Sequence, residues 1–201
     1  MSIPLNTLLK VLDIGNGGHT PGEVLGERTA GNVKLFVGID NSIEMLARKE
    51  DRYARAAGDR FMLPFKDNAF DYVILSAIIH HLGLRAGEDH FERFERFIRE
   101  ALRVCSREII VYAVLAPRYV EMLERAAARV MGCMPTFVLS EKTLATYLRK
   151  MQLARQELTT RSLTELTHPF CRHVLVMDYE WLRVPAFLFP LKNCFFVIPG
   201  T

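Results

Sequence analysis

The run VLDIGNGGHT, Val11 to Thr20, constrains this chain more than any other stretch of it. An apolar segment ends in a carboxylate, Asp13, and passes at once into a turn with glycines at 15, 17 and 18. Glycine lets the backbone bend tightly and removes the Cβ atoms that would hold a ligand away, so a strand followed by such a turn admits a nucleotide-like molecule at close range. The dinucleotide fingerprint asks for G-x-G-x-x-G, and from Gly15 this chain supplies Gly17 but then Thr20 in the third place. Asp13, two residues before the first glycine, suits a ligand with a cationic amino group better than it suits a pyrophosphate. A plain glycine-rich turn without a ligand is the competing reading, and the rest of the chain has to decide.

The pattern that follows is strand and helix in alternation. Lys34 to Asp40, KLFVGID, is a second apolar run closed by a carboxylate, and Ile43, Leu46 and Ala47 then recur at helical spacing. DYVILS, Asp71 to Ser76, and EIIVYAV, Glu108 to Val114, are further strands, with a short one near 55–57. Between them Phe91, Phe94, Phe97, Ile98, Ala101 and Leu102 share one face of a helix over 91–104. That period makes the phenylalanines core residues rather than a platform for stacking bases. Near-continuous apolar strands alternating with amphipathic helices predict a Rossmann-like, doubly wound, mostly parallel sheet with helices on both faces. Ligands of such sheets sit at the carboxyl ends of the strands.

Beyond Leu115 the pattern changes. Helices are expected at about 118–131 and 140–152, as a helical insertion or cap after the fifth strand that extends to about residue 170. A short helix in DYEWLRV and two strands, PAFLFP and CFFVIPG, then predict an antiparallel hairpin that completes a seven-stranded sheet. A strand at Gln156 to Ser162 is the alternative. No internal repeat or interdomain linker is evident, and 201 residues, half of them hydrophobic, fit a single domain over 1–201 with one core.

Composition excludes more than it selects. Lys and Arg number 26 against 23 Asp and Glu, so the net charge of +3 implies no dedicated nucleic-acid surface. Cysteines at 105, 133, 171 and 194 form no C-x-x-C pair, which argues against a disulfide framework and a zinc ribbon. A reducing cytoplasm is the expected compartment. No signal peptide or membrane span is visible. His168, Cys171 and His173 are metal-ligand types at close spacing but lack a fourth partner, so no metal site is expected.

Acidic residues mark three successive positions: Asp13 after the first strand, Asp40 after the second, and Asp59 in the turn GDRFMLPF. An ionised carboxylate offers two acceptor oxygens, so Asp40 can take both hydroxyls of a ribose, and Asp59 can accept from an adenine amino group. Any one of these is equally a cap or turn residue. In series they match an adenosyl ligand whose far end is cationic, and S-adenosylmethionine is such a ligand.

At this point the chain resembles the class I S-adenosylmethionine-dependent methyltransferases of the type 11 kind. The resemblance runs through VLDIGNGG, VGIDNSIEML, GDRFMLPFKDNAFDYVILSAIIHHL and IREALRVCSREIIVYAV, roughly residues 10–115. It implies S-adenosylmethionine as cofactor, with Asp13, Gly15 and Gly17 on the methionine side, Asp40 at the ribose, Asp59 and Arg60 bordering the adenine, and Asn16, Asn41 and Ser76 as further cofactor-binding residues. His80 and His81 are the catalytic candidates. A packed pair at a helix start is the other reading of the two. The run AIIHHL with IIVYAV and the closing NCFFVIPG is also similar to the methyltransferases that esterify the carboxymethyl group of a modified wobble uridine in tRNA. That narrower likeness implies a tRNA substrate and a small zinc-binding activator subunit; a small-molecule acceptor is the alternative. Arg118, Arg125, Arg129, Arg149, Lys150 and Arg155 would then meet RNA phosphates or form a solvated helix face.

Two departures stand out. His19 occupies the place of the family's third glycine, which predicts a crowded or opened turn. Only about nine residues precede Lys10, where the family has helices that fold over the cofactor, so an open site or one covered by a partner is expected. Both features suit a degenerate relative that serves as a binding or scaffold subunit, whereas Asp13, Asp40 and Asp59 suit an enzyme.

Overall fold

The computed structural model describes residues 9–17, 19, 21, 24, 30, 33–47, 53–85, 88–134, 139–153, 156–157 and 192–200. Five strands run parallel: β1 (Leu9–Ile14), β2 (Val33–Asp40), β3 (Ala54–Ala57), β4 (Phe70–Ser76) and, after a two-residue β5 (Leu84–Arg85), β6 (Cys105–Leu115). The helices α1 (Ile43–Leu46), α2 (His90–Val104), α3 (Arg118–Met131) and α4 (Glu141–Lys150) are joined by short connections, among them β7 (Cys133–Met134), which pairs with β5. β9 (Lys192–Pro199) lies antiparallel to β6, and β8 (Gln156–Glu157) adds two residues outside it. The order across the sheet is β3-β2-β1-β4-β6-β9-β8. This is the expected Rossmann-like mixed sheet, mostly parallel and closed by antiparallel pairing; six of its strands are four residues or longer, and β8 adds two residues at the edge.

Alternation along the strands divides the core between two faces, since successive side chains point to opposite sides. Leu12, Ile14, Val73, Leu75, Ile109 and Val111 meet α2 on one side. Leu9, Val11, Phe36, Tyr72 and Ile74 form the smaller cluster on the other. Asp89 caps α2 by accepting from the backbone N–H groups of Phe91 and Glu92, and the helix buries Phe94, Phe97, Ile98 and Ala101 completely. Full burial stabilises each of these phenylalanines by roughly 2 kcal/mol. The helical period read from the sequence therefore put these residues on the correct face.

The insertion follows β6 as expected, with α3 over 118–131 and α4 over 141–150. One edge differs from the reading of the sequence. The strand beside β9 within the described residues begins at Gln156, where the sequence offered its alternative, while PAFLFP and DYEWLRV lie outside the described residues. The helix after β2 is one turn, Ile43–Leu46, and Ala47, which shares its spacing in the sequence, falls in the turn just past it. No described helix is long and apolar enough to cross a membrane.

Candidate active site

The sheet reverses its direction of winding at β1, which pairs with β2 on one side and β4 on the other. Such a switch point leaves a crevice beyond the carboxyl ends of the strands, and the residues singled out in the sequence gather there. Gly15 follows β1 with φ +73°, a left-handed conformation. A Cβ on it would stand 2.3 Å from Ile78 Cδ1. Only glycine meets both conditions without strain. The Gly15 and Asn16 backbone N–H groups donate to Ile39 O at 2.8 and 3.2 Å, which pins the turn to β2.

Asp13 is buried, and Asn16 Nδ2 donates to its Oδ2 at 2.7 Å. Its other oxygen, Oδ1, has no hydrogen-bond partner among the described residues. Burial raises the Asp13 pKa from 3.8 to about 7, against the Asn16 bond and with help from the nearby Asp40 charge. Gly38, paired across the sheet with Asp13, makes room for this arrangement: a Cβ there would stand 2.6 Å from Asn16 Cγ.

Asp40 ends β2. Its Oδ2 accepts from the Gly17 N–H at 3.0 Å and its Oδ1 from the Ser42 N–H at 2.9 Å, so each oxygen keeps one lone pair for a ligand. Asn41, Gly58, Arg60 and Ile78 join Gly15 and Asp40 around a cleft. Arg60 spans it, donating from Nη1 to His81 O at 3.2 Å. The free volume is about 10 Å³, with the Ile78 side chain packed against Gly15 in its lining.

Asp59 does not line this cleft. Its Oδ1 accepts from the Phe61 N–H at 2.9 Å, so it shapes the turn that presents Gly58 and Arg60. Ser76 is half-buried at the end of β4, and Ile79–His81 form one helical turn beyond it. His80 is buried and His81 exposed, with ring centroids 4.0 Å apart. His19 contributes through its backbone: its carbonyl accepts from Asn16 Nδ2 at 2.9 Å and from the Tyr53 hydroxyl. Tyr53, which reading the sequence missed, stands just before β3 in a segment with no motif, and its hydroxyl also reaches Asn16 Oδ1 at 3.3 Å. Ile78 was missed as well, although it lies inside the AIIHHL block.

A family model described as a methyltransferase domain matches residues 12–113, just over half of the chain. The chain belongs to the methyltransferase domain family. A search of the curated proteins finds no match. Among solved structures, the YcgJ protein from Bacillus subtilis is 18% identical with a TM-score of 0.57, the alignment covering 98% of this chain and 94% of that one. An S-adenosylmethionine-dependent methyltransferase from Methanosarcina mazei is 15% identical with a TM-score of 0.51, over 97% and 92%. A chain of the complex between the Haloferax volcanii Trm112 methyltransferase activator and a methyltransferase is 17% identical with a TM-score of 0.52, over 98% and 84%. At these identities the three share the fold.

As a methyltransferase the chain uses S-adenosylmethionine as its cofactor, and the residues present fit that molecule. A buried carboxylate with one unpartnered oxygen asks for a cationic donor, and a carboxylate with two spare lone pairs suits a diol. The His168, Cys171 and His173 group lies outside the described residues.

Proposed function

We propose that this chain transfers a methyl group from S-adenosylmethionine to a small-molecule acceptor at the carboxyl edge of its sheet, with Asp13 and Asp40 as the principal cofactor-binding residues. The observation that carries this reading is Asp13 Oδ1, buried beside the glycine turn with no partner among the described residues. When bound, S-adenosylmethionine supplies a methyl group on a sulfonium, which an acceptor removes by in-line displacement. Asp13 receives the cofactor's ammonium, and Asn16 holds that carboxylate in place. Gly15 and Gly17 let the chain approach, Asp40 takes the ribose hydroxyls, and Asn41 and Arg60 border the adenine. Asp59 acts on the adenine side by shaping the turn.

His81, exposed in the helical turn past the end of β4, is the candidate base for a hydroxyl or amine acceptor. A carboxylate acceptor is already ionised at neutral pH and requires no base. Buried His80 packs beneath His81 and positions it.

A small acceptor is favoured over a modified tRNA nucleoside by the placement of the basic residues. Arg149 and Lys150 close α4, where they complement the helix dipole, and Lys150 lies over the Phe91 ring. Arg118 and Arg125 turn to a cavity instead of lining a continuous face. A small activator subunit belongs to the same reading, supported by the Haloferax volcanii complex. The rival, a degenerate fold that serves as a scaffold, gives no reason to keep an unpaired carboxylate buried.

Calorimetric titration with S-adenosylmethionine decides between the two. Binding that weakens by about 100-fold in Asp40→Ala, through loss of charge-assisted bonds to the ribose and of the Gly17 contact, is the expected result. No heat at millimolar cofactor, with or without an activator subunit, would sink the enzyme reading.

A further inference from the structure

Between the two helices of the insertion lies a second cavity, an open one of about 270 Å³, separate from the cofactor cleft. Three cations line it: Arg118 and Arg125 from α3 and Lys142 from α4. One carboxylate, Glu121, borders the same space, and it is already engaged. It is buried, and it accepts from the Ser140 backbone N–H at 2.9 Å, from Thr143 Oγ1 at 2.7 Å and from Arg125 Nη2 at 2.6 Å. Burial alone would raise its pKa, but the bonds from Ser140 and Thr143 and the charge of Arg125 outweigh that and hold it below the ordinary range.

The floor of the cavity is a hydrogen-bonded network. Arg125 Nη2 also donates to Tyr147 Oη at 2.9 Å and lies 3.2 Å from His90 Nδ1, which is 2.9 Å from the same hydroxyl. The two Nη2 hydrogens go to Glu121 and Tyr147, so the Tyr147 hydroxyl donates to Nδ1. Burial, and then the Arg125 charge, push the His90 pKa down to about 4, and the ring stays neutral. Arg118 and Lys142 have no ion-pair partner among the described residues. The lining is left with two positive charges that nothing described compensates.

Both are solvent-exposed, and both sit where they add positive charge to that of a helix start. Arg118 opens α3 and Lys142 is the second residue of α4, where a helix already carries partial positive charge. Both helices start at the carboxyl edge of the sheet: α3 begins three residues past β6, and the Ala116 N–H donates to Leu139 O at 2.9 Å, just ahead of the Ser140 cap of α4. Asp13, Asp40 and His81 occupy the same edge. β1 and β6 are separated only by β4, so their ends lie about 10 Å apart at normal strand spacing.

We propose that this cavity binds the phosphate monoester group of a small methyl acceptor, whose reactive end then reaches toward the cofactor cleft. The assignment to an acceptor rests on the methyltransferase reading; the anion site itself does not. A phosphate monoester carries about −1.5 to −2 charge at neutral pH and matches the uncompensated lining, whereas a carboxylate or a single phosphodiester carries about half of that. The hydroxyls nearby have spent their hydrogens, Thr143 on Glu121 and Thr146 on Lys142 O at 2.8 Å. The donors left for the anion are the Arg118 guanidinium, the Lys142 ammonium and the remaining N–H groups of Arg125, and guanidinium forks match phosphate geometry.

Calorimetry with inorganic phosphate tests this on the full chain, beside separate titrations with S-adenosylmethionine, acetate and a short single-stranded RNA lacking terminal phosphates, all at one ionic strength. Arg118 and Lys142 are exposed, so the double variant Arg118→Gln/Lys142→Gln keeps the buried network and the fold. The expected result is phosphate affinity above that for acetate, weakened by about tenfold or more in the double variant, with cofactor affinity unchanged. Equal phosphate binding by both proteins, or tighter binding of the RNA than of phosphate, overturns the site. A chain that binds phosphate through these residues but no S-adenosylmethionine keeps the anion site and overturns its part in methyl transfer. Cofactor binding without phosphate binding overturns the anion site alone.

Discussion

At the scale of single residues, Asp13 makes a pH-dependent statement that can be checked twice. Its pKa is raised from 3.8 to about 7 by burial, so the folded chain holds this proton more tightly than the unfolded chain does. Between about pH 4 and 7 the unfolded chain has lost this proton and folding has to take it up again, so stability falls as pH rises through that window, and above 7 the charge itself is buried. The whole shift corresponds to a few kcal/mol, on the order of 1.4 kcal/mol per pKa unit. Urea unfolding of the ligand-free chain should therefore show Asp13→Asn gaining stability over the parent at pH 8 and little at pH 4. Cofactor binding runs the other way, because a cationic ligand favours the carboxylate. Affinity for S-adenosylmethionine should rise about tenfold from pH 6 to 8, with release of a proton, and lose that dependence in Asp13→Asn; a flat profile in the parent would separate Asp13 from the ammonium. Gly15 and Ile78 form a second residue-scale pair. Gly15→Ala meets both the positive φ and the Ile78 side chain, and should cost about 1–3 kcal/mol in urea unfolding. Adding Ile78→Ala should recover only part of that, since the contact is relieved and the backbone strain is not. Ile78→Ala alone should open the cleft and speed cofactor association in stopped-flow mixing.

The elements that position the site are fastened by side chains remote from it. Arg103, in the last turn of α2, donates to Leu63 O at 3.0 Å and Phe65 O at 2.8 Å, and pairs with Asp67 and Glu100. Glu100 in turn accepts from the Leu63 N–H at 2.6 Å. The segment between β3 and β4, which presents Gly58 and Arg60 to the cleft, is thus tied to α2 by one guanidinium and one carboxylate. The Arg103 hydrogen bond, set against a smaller cost of burial, holds the Glu100 pKa below the ordinary range, so this contribution is present at neutral pH and lost on acidification. A lysine at 103 keeps the charge but not the planar fork that reaches two carbonyls and two carboxylates together. Arg103→Lys should lower unfolding stability by about 1–2 kcal/mol and speed hydrogen exchange at Leu63. Exchange in β1 and β4 should stay unchanged if the effect is confined to this tie. Nothing in the motif content of the chain pointed to Arg103, because its work is contacts with backbone carbonyls far along the sequence.

Across the whole molecule, what was legible in the sequence followed local periodicity and what was not depended on long-range contact. The parallel strands and α2 announce themselves through apolar runs and a 3.6-residue period, and the ends of those strands locate Asp13, Gly15 and Asp40 without any coordinates. Tyr53 and Ile78 enter the site only because β3 and the turn after β4 are brought to the same edge. Asp59 reads in sequence as a partner for adenine; in the structure its Oδ1 accepts from the Phe61 N–H, and a carboxylate that shapes a turn looks the same in sequence as one that waits for a ligand. The basic residues of the insertion are the clearest case. As a list they suggest either RNA or solvent, and only the packing of α3 against α4 sorts Arg118 and Arg125 into a cavity and Arg149 and Lys150 to a helix end. On the two proposals the molecule carries two ligand-facing regions on one edge, held by different elements, and hydrogen exchange can resolve them. S-adenosylmethionine should slow exchange at Gly17, Ser42 and Gly58, whose amides rest on Asp40. Inorganic phosphate should instead slow exchange in the first turns of α3 and α4. The two ligands together should give the sum of both patterns, with added protection at Ala77 and Ala116, whose amides donate to Tyr112 O and Leu139 O and connect β4, β6 and the insertion. Protection by phosphate that appears around Asp40 and not in the insertion would place the anion in the cofactor cleft, and with it the role of the second cavity would fall.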